Sequence, residues 1–278
     1  MFVCKEKVAV CGHRGERIHG RENTIAAIEY AVEIGVDMIE TDVRMSKDGY
    51  LFLMHNKNLA DMTSGNGMVR EHTYSELRAM NAAILSKSSE SFSAPLFEPI
   101  ALFEELLDLA EDHPGLMLNI ELKDMPAEDE PFAFLCADKV ASALAARRLG
   151  CRTWINSFSG KIVQRIYRAY GNLFHYHGFY PWNIMGQMED DPSSFCDVAC
   201  MLNWDVLPSG KYKMDRMSIP CPEQWLTSLL AEGIMPLTTS FYAHMEDYDL
   251  AIRQGSRIIM ADDPQKMLDH LREKGFHS

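Results

Sequence analysis

Short runs rich in β-branched and aromatic residues alternate along this chain with stretches whose apolar positions recur at helical spacing. Strand candidates are residues 8–12 ("VAVCG"), 38–43 ("MIETDV"), 116–123, 152–158, 173–180, 197–204, 234–241 and 257–262. Helical patterns at 23–34, 100–111, 131–148, 159–170, 222–232 and 246–254 lie between most of them. Gly35, Gly150 and Gly233 each stand between a helical pattern and the next strand, where helices stop. Eight strands with helical crossovers predict an α/β fold, a closed (β/α)8 TIM barrel, with a doubly wound open sheet as the alternative. A barrel of this kind commonly uses about 250 residues, so the 278 residues are read as one domain, 1–278.

One apolar run does not fit a ninth crossover. "YLFLMHN" (50–56) follows the second strand after only Ser46-Lys47-Asp48-Gly49, and Asp-Gly is a strong turn signal. Residues 38–56 therefore read as a hairpin whose first arm is barrel strand two, and folding back near Asp48 sets His55 beside Asp42. Residues 57–115 hold no clear barrel strand and read as a small insertion subdomain. In it Thr73 and Glu76 have capping-box spacing. The stretch 181–222, rich in Pro, Met, Trp and Asp, reads as long loops on the same rim. Its Trp182 and Trp204 fit packing or a platform for a cationic head group equally well.

Composition narrows the partners. The net charge of −13 argues against duplex nucleic acid, so an anionic substrate must be drawn in by local cations. No run approaches the roughly 20 apolar residues of a membrane span, and "MFVCKEKVAV" has neither the apolar core nor the cleavage site of a signal peptide. The seven cysteines, at 4, 11, 136, 151, 196, 200 and 221, form no CxxC pair and no zinc pattern. The expectation is a reduced, soluble, cytoplasmic protein; the sequence does not tell its oligomeric state.

Candidate chemistry gathers where strands end. Glu40 and Asp42 are two apart on a strand and so share a face, and Glu121 ends another strand two residues before Lys123. These carboxylates read as ligands of a hard divalent cation, Mg²⁺ or Ca²⁺, against the alternatives of solvent-facing acids and a structural ion pair. His13 ends strand one and His55 the folded-back arm, positions suited to a general acid and base. "HRGERIHGRENT" (13–24) crowds His13, Arg14 and Arg21 between a strand and a helix, and Arg14 offers a fork of donors that matches phosphate. Asn23 or Thr24 can cap that helix, while Glu22 is open to two readings, a favourable first-turn acid or a further metal oxygen.

The ordered set "HRG" (13–15), "ENT" (22–24), "IETDV" (39–43), "DG" (48–49), "HN" (55–56), "IELK" (120–123), "SF" (157–158) and "ADDP" (261–264) resembles the glycerophosphodiester phosphodiesterase family. The resemblance runs from about residue 8 to 265 and is least specific over 174–222. It implies a TIM barrel and one divalent cation, Mn²⁺ also being possible, held by Glu40, Asp42 and Glu121. It also implies His13 and His55 as the acid–base pair, Arg14 on the phosphate with help from Lys123, and hydrolysis of a small-molecule glycerophosphodiester to an alcohol and glycerol 3-phosphate. The chain departs from the family at Asn56, where His-Asp is usual, and at "PLTTS" (236–240), where Trp-Thr-x-Asn is frequent. A phospholipase D-like lyase that forms a cyclic phosphate and a non-catalytic phosphate-binding barrel are the other readings. The head group of the substrate is not legible.

Overall fold

A computed structural model describes residues 6–84, 92–186, 188–202, 205–206, 212–213, 223–239 and 245–278. Eight strands form the barrel: β1 (Ala9–His13), β2 (Met38–Met45), β4 (Met117–Leu122), β5 (Thr153–Asn156), β6 (His175–Tyr180), β7 (Val198–Met201), β10 (Met235–Thr238) and β11 (Ile258–Ala261). All neighbours among them pair in parallel, and β1 hydrogen-bonds both β11 and β2. The sheet is therefore closed, and the open-sheet alternative is excluded. The remaining strands are β3 (Leu51–Leu53), antiparallel on β2, and a separate two-residue pair, β8 (Asp205–Val206) and β9 (Tyr212–Lys213).

Helices α1 (Ile25–Ile34), α3 (Phe103–Asp112), α4 (Pro126–Ala146), α5 (Gly160–Tyr170), α6 (Glu223–Ala231), α7 (Met245–Arg253) and α8 (Pro264–Glu273) surround the sheet, and a short α2 (Tyr74–Arg78) lies outside it. The β6–β7 connection contains only single 3₁₀ turns among its described residues, Trp182–Met185 and Pro192–Ser194. The rest of the expected rim loops, including Trp204, residues 207–211 and 214–222, lies outside the described residues. Trp182 packs as a structural residue: it meets Tyr180 at 5.3 Å between ring centroids and lies against the main core.

Helix boundaries follow local chemistry with one exception, at Gly150. Gly35 takes the left-handed conformation, φ 99°, and closes α1. Gly150 does not close α4: the helix ends at Ala146, and Arg148 takes the left-handed position, φ 58°. Gly150 opens a 3₁₀ turn instead, and a Cβ there would lie 2.6 Å from the Leu173 carbonyl oxygen. α4 is broken at Asp129, which is non-helical at φ −161° and ψ 95° and accepts from the Phe132 N–H, so a short turn from Pro126 precedes the long helix, which starts where its apolar pattern does.

A single large apolar cluster fills the barrel and the layer beneath its helices, α3 included. A smaller one, built from Phe52, Met54, Leu59, Met62, Val69, Leu77, Ala82 and Ile100, lies under the segment that follows β3. There Thr73 and Glu76 form the expected capping box, with Glu76 accepting from the Thr73 backbone N–H at 2.7 Å. No helix among the described residues is long and apolar enough to cross a membrane. The five described cysteines, Cys11, Cys136, Cys151, Cys196 and Cys200, are free thiols, and Cys4 and Cys221 lie outside the described residues.

Candidate active site

Parallel register brings the carboxylates together at the carboxyl ends of the strands. His13 lies opposite Glu40 across β1–β2, and Asp42 opposite Glu121 across β2–β4. Glu40, Asp42 and Glu121 are buried, and each offers an oxygen within 4.8 Å of the other two. Solvent-facing acids are thereby ruled out for this pair of strands.

The hairpin does what its turn sequence predicts. Val43 pairs with Leu53, and the Met54 N–H donates to the Asp42 carbonyl at 2.9 Å, so His55 emerges beside the cluster. Arg44, on the opposite face of β2 from Asp42's neighbour Val43, ties down the His55 carbonyl at 2.8 and 3.1 Å and also pairs with Asp124 at 3.2 Å.

The loop after β1 is built on backbone conformations that few residues accept. Arg14 and Gly15 both have positive φ, 61° and 86°. A Cβ on Gly15 would approach the Ala27 backbone to 2.8 Å, so the loop lies directly on the first turn of α1. Thr24 caps that helix, accepting from the Ala27 N–H. Asn23, at φ 60°, instead turns inward: its Nδ2 donates to Asp42 Oδ2 at 2.8 Å and its Oδ1 accepts from Thr41 Oγ1 at 2.6 Å. Glu22 pairs with Arg14 at 2.8 Å and Arg17 at 3.0 Å and stands outside the three-carboxylate cluster.

The cations and imidazoles complete the site. Lys123 Nζ lies 2.5 Å from Glu121 and 3.2 Å from Asp42, and Arg14 Nε lies 3.2 Å from Asp42. His13 Nδ1 meets Asp262 Oδ1 at 2.6 Å, and its Nε2 lies 3.8 Å from Glu40. A carboxylate only accepts, so Nδ1 carries the proton and Nε2 the lone pair. His55 Nδ1 likewise donates to the Asn56 amide oxygen at 2.7 Å. His13, Arg14, Glu40, His55, Glu121 and Lys123 line one cavity of about 440 Å³, with Asp42 buried in its wall.

Charge in this cavity is divided unequally. Burial pushes the Glu40 carboxyl well above its usual range, and the neighbouring Asp42 adds to the shift. Burial also raises Glu121, against the pull of Lys123. Asp42 is buried as deeply, yet Lys123 and Arg14 outweigh that burial and hold it below the ordinary carboxylate range. Burial lowers His13 in spite of Asp262 and pushes His55 down to about 4, so both rings are neutral at neutral pH.

A model of the glycerophosphoryl diester phosphodiesterase family matches residues 13–235. The chain belongs to this family. A glycerophosphodiester phosphodiesterase of Caldanaerobacter subterraneus subsp. tengcongensis is 38% identical over 280 residues, 97% of this chain and 100% of that protein. Among solved structures, an Oleispira antarctica phosphodiesterase in complex with the product sn-glycerol-3-phosphate matches with a TM-score of 0.72 at 20% identity, covering 95% of this chain and 96% of the other. A glycerophosphodiester phosphodiesterase from Agrobacterium tumefaciens matches with a TM-score of 0.68, also at 20% identity, over 93% and 98% of the two chains. At such identities the structural likeness is one of fold.

For this member of the family, the catalytic, metal and phosphate candidates His13, Arg14, Glu40, His55, Glu121 and Lys123 line the cavity with Asp42 paired to Lys123 and Arg14 beside them, whereas Arg21 does not. Arg21 turns away and donates to the Asp61 carbonyl at 2.7 Å. Arg17, which sequence reading passed over, takes the place beside His13: it lines the cavity and pairs with both Glu22 and Asp262. Asp263 provides the N-cap of α8, whereas its neighbour Asp262 supports His13. Only the meeting of β1 with β11 separates those two roles.

Proposed function

We propose that the chain acts as a metal-dependent hydrolase of its family, with one divalent cation held by Glu40, Asp42 and Glu121. The reaction is hydrolysis of a glycerophosphodiester to an alcohol and glycerol 3-phosphate. What supports the metal is a pair of buried oxygens, Glu40 Oε2 and Asp42 Oδ1, that lack hydrogen-bond partners. Lys123 lies 3.2 Å from Asp42 Oδ1, within ion-pair distance, but does not satisfy it as a hydrogen-bond donor. All three candidate ligands are hard oxygen donors, which fits Mg²⁺ or Ca²⁺, with Mn²⁺ also compatible. When bound, the ion would supply Lewis-acid stabilisation of negative charge on a phosphoryl oxygen.

His13 and His55 are the acid–base pair in this reading. Each ring donates from Nδ1, to Asp262 and to Asn56, and Nε2 is the nitrogen that exchanges the proton. Arg14 and Lys123 hold the phosphate, fixed in place by Glu22 and Glu121. The nucleophile is the 2-hydroxyl of the substrate's own glycerol, because attack from a neighbouring carbon gains the effective-molarity advantage of a unimolecular step. One neutral imidazole takes the hydroxyl proton at Nε2, while the other, which must first take up a proton as the anionic diester binds, gives its Nε2 proton to the leaving alcohol. The roles then reverse as water opens the cyclic phosphate.

A diester whose glycerol 2-hydroxyl is replaced by hydrogen tests this scheme. It should bind comparably and turn over at least about 10²-fold more slowly, a small part of the roughly 10⁵–10⁸ M effective molarity that such proximity supplies. An undiminished kcat on that analogue would mean direct attack by water.

The chain is read as one barrel domain, 1–278, in which the 57–115 insertion shapes access to the cavity. The segment before α3 has its own apolar cluster, while α3 packs with the barrel. Replacing residues 60–97 with a short linker should change KM and substrate preference more than metal affinity. Loss of metal binding in a barrel that stays folded would refute this division of labour.

A further inference from the structure

On the two strands next to Glu121 the cavity carries polar groups that the acid–base scheme leaves unused. Asn156 lies opposite Glu121 across β4–β5, and His177 lies opposite Asn156 across β5–β6. Asn119, one inward position before Glu121, joins them from below, and all three side chains are buried. Asn156 Nδ2 donates to Asn119 Oδ1 at 2.7 Å. His177 Nδ1 meets the same amide, 3.1 Å from Asn119 Nδ2 and 3.2 Å from its Oδ1. It accepts from the first or donates to the second, and Nε2 correspondingly carries the ring proton or the lone pair.

The chain of bonds ends on both sides in groups with no partner. His177 Nε2 and Asn156 Oδ1 are buried without a hydrogen bond, and so is the hydroxyl of Thr239, just past β10. Asn156, His177 and Thr239 all line the 440 Å³ cavity. Unpaired buried donors and acceptors of this kind are rare in folded proteins unless something polar fills the space between them. Burial pushes His177 down to about 3, so the ring is neutral.

The neighbouring wall has a complementary character. Phe158 and Phe179, each two residues beyond a member of the polar set, stack with ring centroids 3.9 Å apart. Among the described lining residues the carboxylates are Glu40 and Glu121, both already assigned to the cation. This corner thus presents neutral donors and acceptors beside aromatic faces. A polyol, with hydroxyls on one edge and C–H groups on another, matches both.

We infer that Asn156, His177 and Thr239 form a hydroxyl-recognition subsite that favours diesters whose uncharged polyol portion sits against Phe158 and Phe179. This rests on the phosphodiesterase reading, and the hydroxyls can come from either side of the phosphate: the glycerol that is kept, or a polyol leaving alcohol.

Two ligand pairs separate these sources in the metal-loaded full chain. Calorimetry compares glycerol 3-phosphate with propyl phosphate, and kcat/KM compares glycerophosphoglycerol with glycerophosphopropanol. The wild type should favour the hydroxyl-bearing member of at least one pair by about tenfold or more, the effect of leaving buried partners unmet. A preference in the first pair assigns the subsite to the retained glycerol, and one in the second assigns it to the leaving alcohol. His177→Leu should collapse the preference, and His177→Gln, whose amide offers both a donor and an acceptor near the position of Nε2, should restore it. Thr239→Val, nearly isosteric, carries the same comparison if His177→Leu does not fold. No preference in either pair, or a preference untouched by both His177→Leu and Thr239→Val, would mean that these atoms hold only buried water. Failure of the phosphodiesterase reading looks different: neither diester would turn over, while the calorimetric pair would still decide the subsite.

Discussion

Alanine at His13 or at His55 should each lower kcat by about 10²–10⁴-fold, the usual contribution of a positioned general acid or base. Both rings line the cavity and both are held neutral at neutral pH by burial. Their settings differ in a way that separates catalysis from scaffolding. His13 is braced by the Asp262 carboxylate, and His55 by the neutral amide of Asn56 and, through its backbone, by Arg44. Removing either ring deletes one proton-transfer group without touching the carboxylate cluster. Metal affinity, read by calorimetry, should therefore change little. The double variant should lose far less than the product of the two single losses, because groups that act in one cycle are not independent. Turnover within about threefold of wild type in either single variant would remove that histidine from the mechanism.

Chelation should abolish turnover, and Mg²⁺, Mn²⁺ or Ca²⁺ should restore it. The physical basis is the cost of three mutually close carboxylates in a buried space where, among the described residues, Lys123 and Arg14 are the direct cationic neighbours. Burial raises Glu40 and Glu121, with neighbouring carboxylates adding to it, so protons compete with a cation for these oxygens. A divalent ion would displace protons from them, so its affinity should fall as pH falls. Binding has its own readout besides activity: an ion at 100 times its Kd stabilises the folded chain by about 2.7 kcal/mol. Glu121→Gln should weaken or erase that thermal shift while the barrel still folds, since losing one carboxylate relieves repulsion. Full turnover by the metal-stripped enzyme would end the metal proposal.

Several features were legible because they depend on neighbours in sequence. Strand alternation located all eight barrel strands, and Asp48-Gly49 set the hairpin that carries His55 to Asp42, because a tight turn fixes pairing within a dozen residues. The i, i+2 spacing of Glu40 and Asp42 likewise placed both on one face of β2. Thr24 and Thr73 announced helix starts through capping chemistry that reaches only three residues ahead.

Other features depend on contacts with no local trace. Arg17 and Arg21 are the same residue type in the same loop, yet the path of that loop over α1 sends one to His13 and the other to the Asp61 carbonyl. Asn23 reads as a helix cap until β2 supplies Asp42 as its partner. Gly150 reads as a helix stop until Leu173 is found packed against it. Asp262 shares the "ADDP" motif with Asp263, the cap of α8, and only closure of the barrel brings it to His13, 249 residues earlier in the chain. The sequence by itself determined the strands, the hairpin and the identity of the reactive side chains, because periodicity and turn chemistry act over a few residues. The tertiary structure alone decided which charges pair, which histidine gains a carboxylate support and which polar atoms stay open to a ligand, because those depend on barrel closure and on the burial it creates.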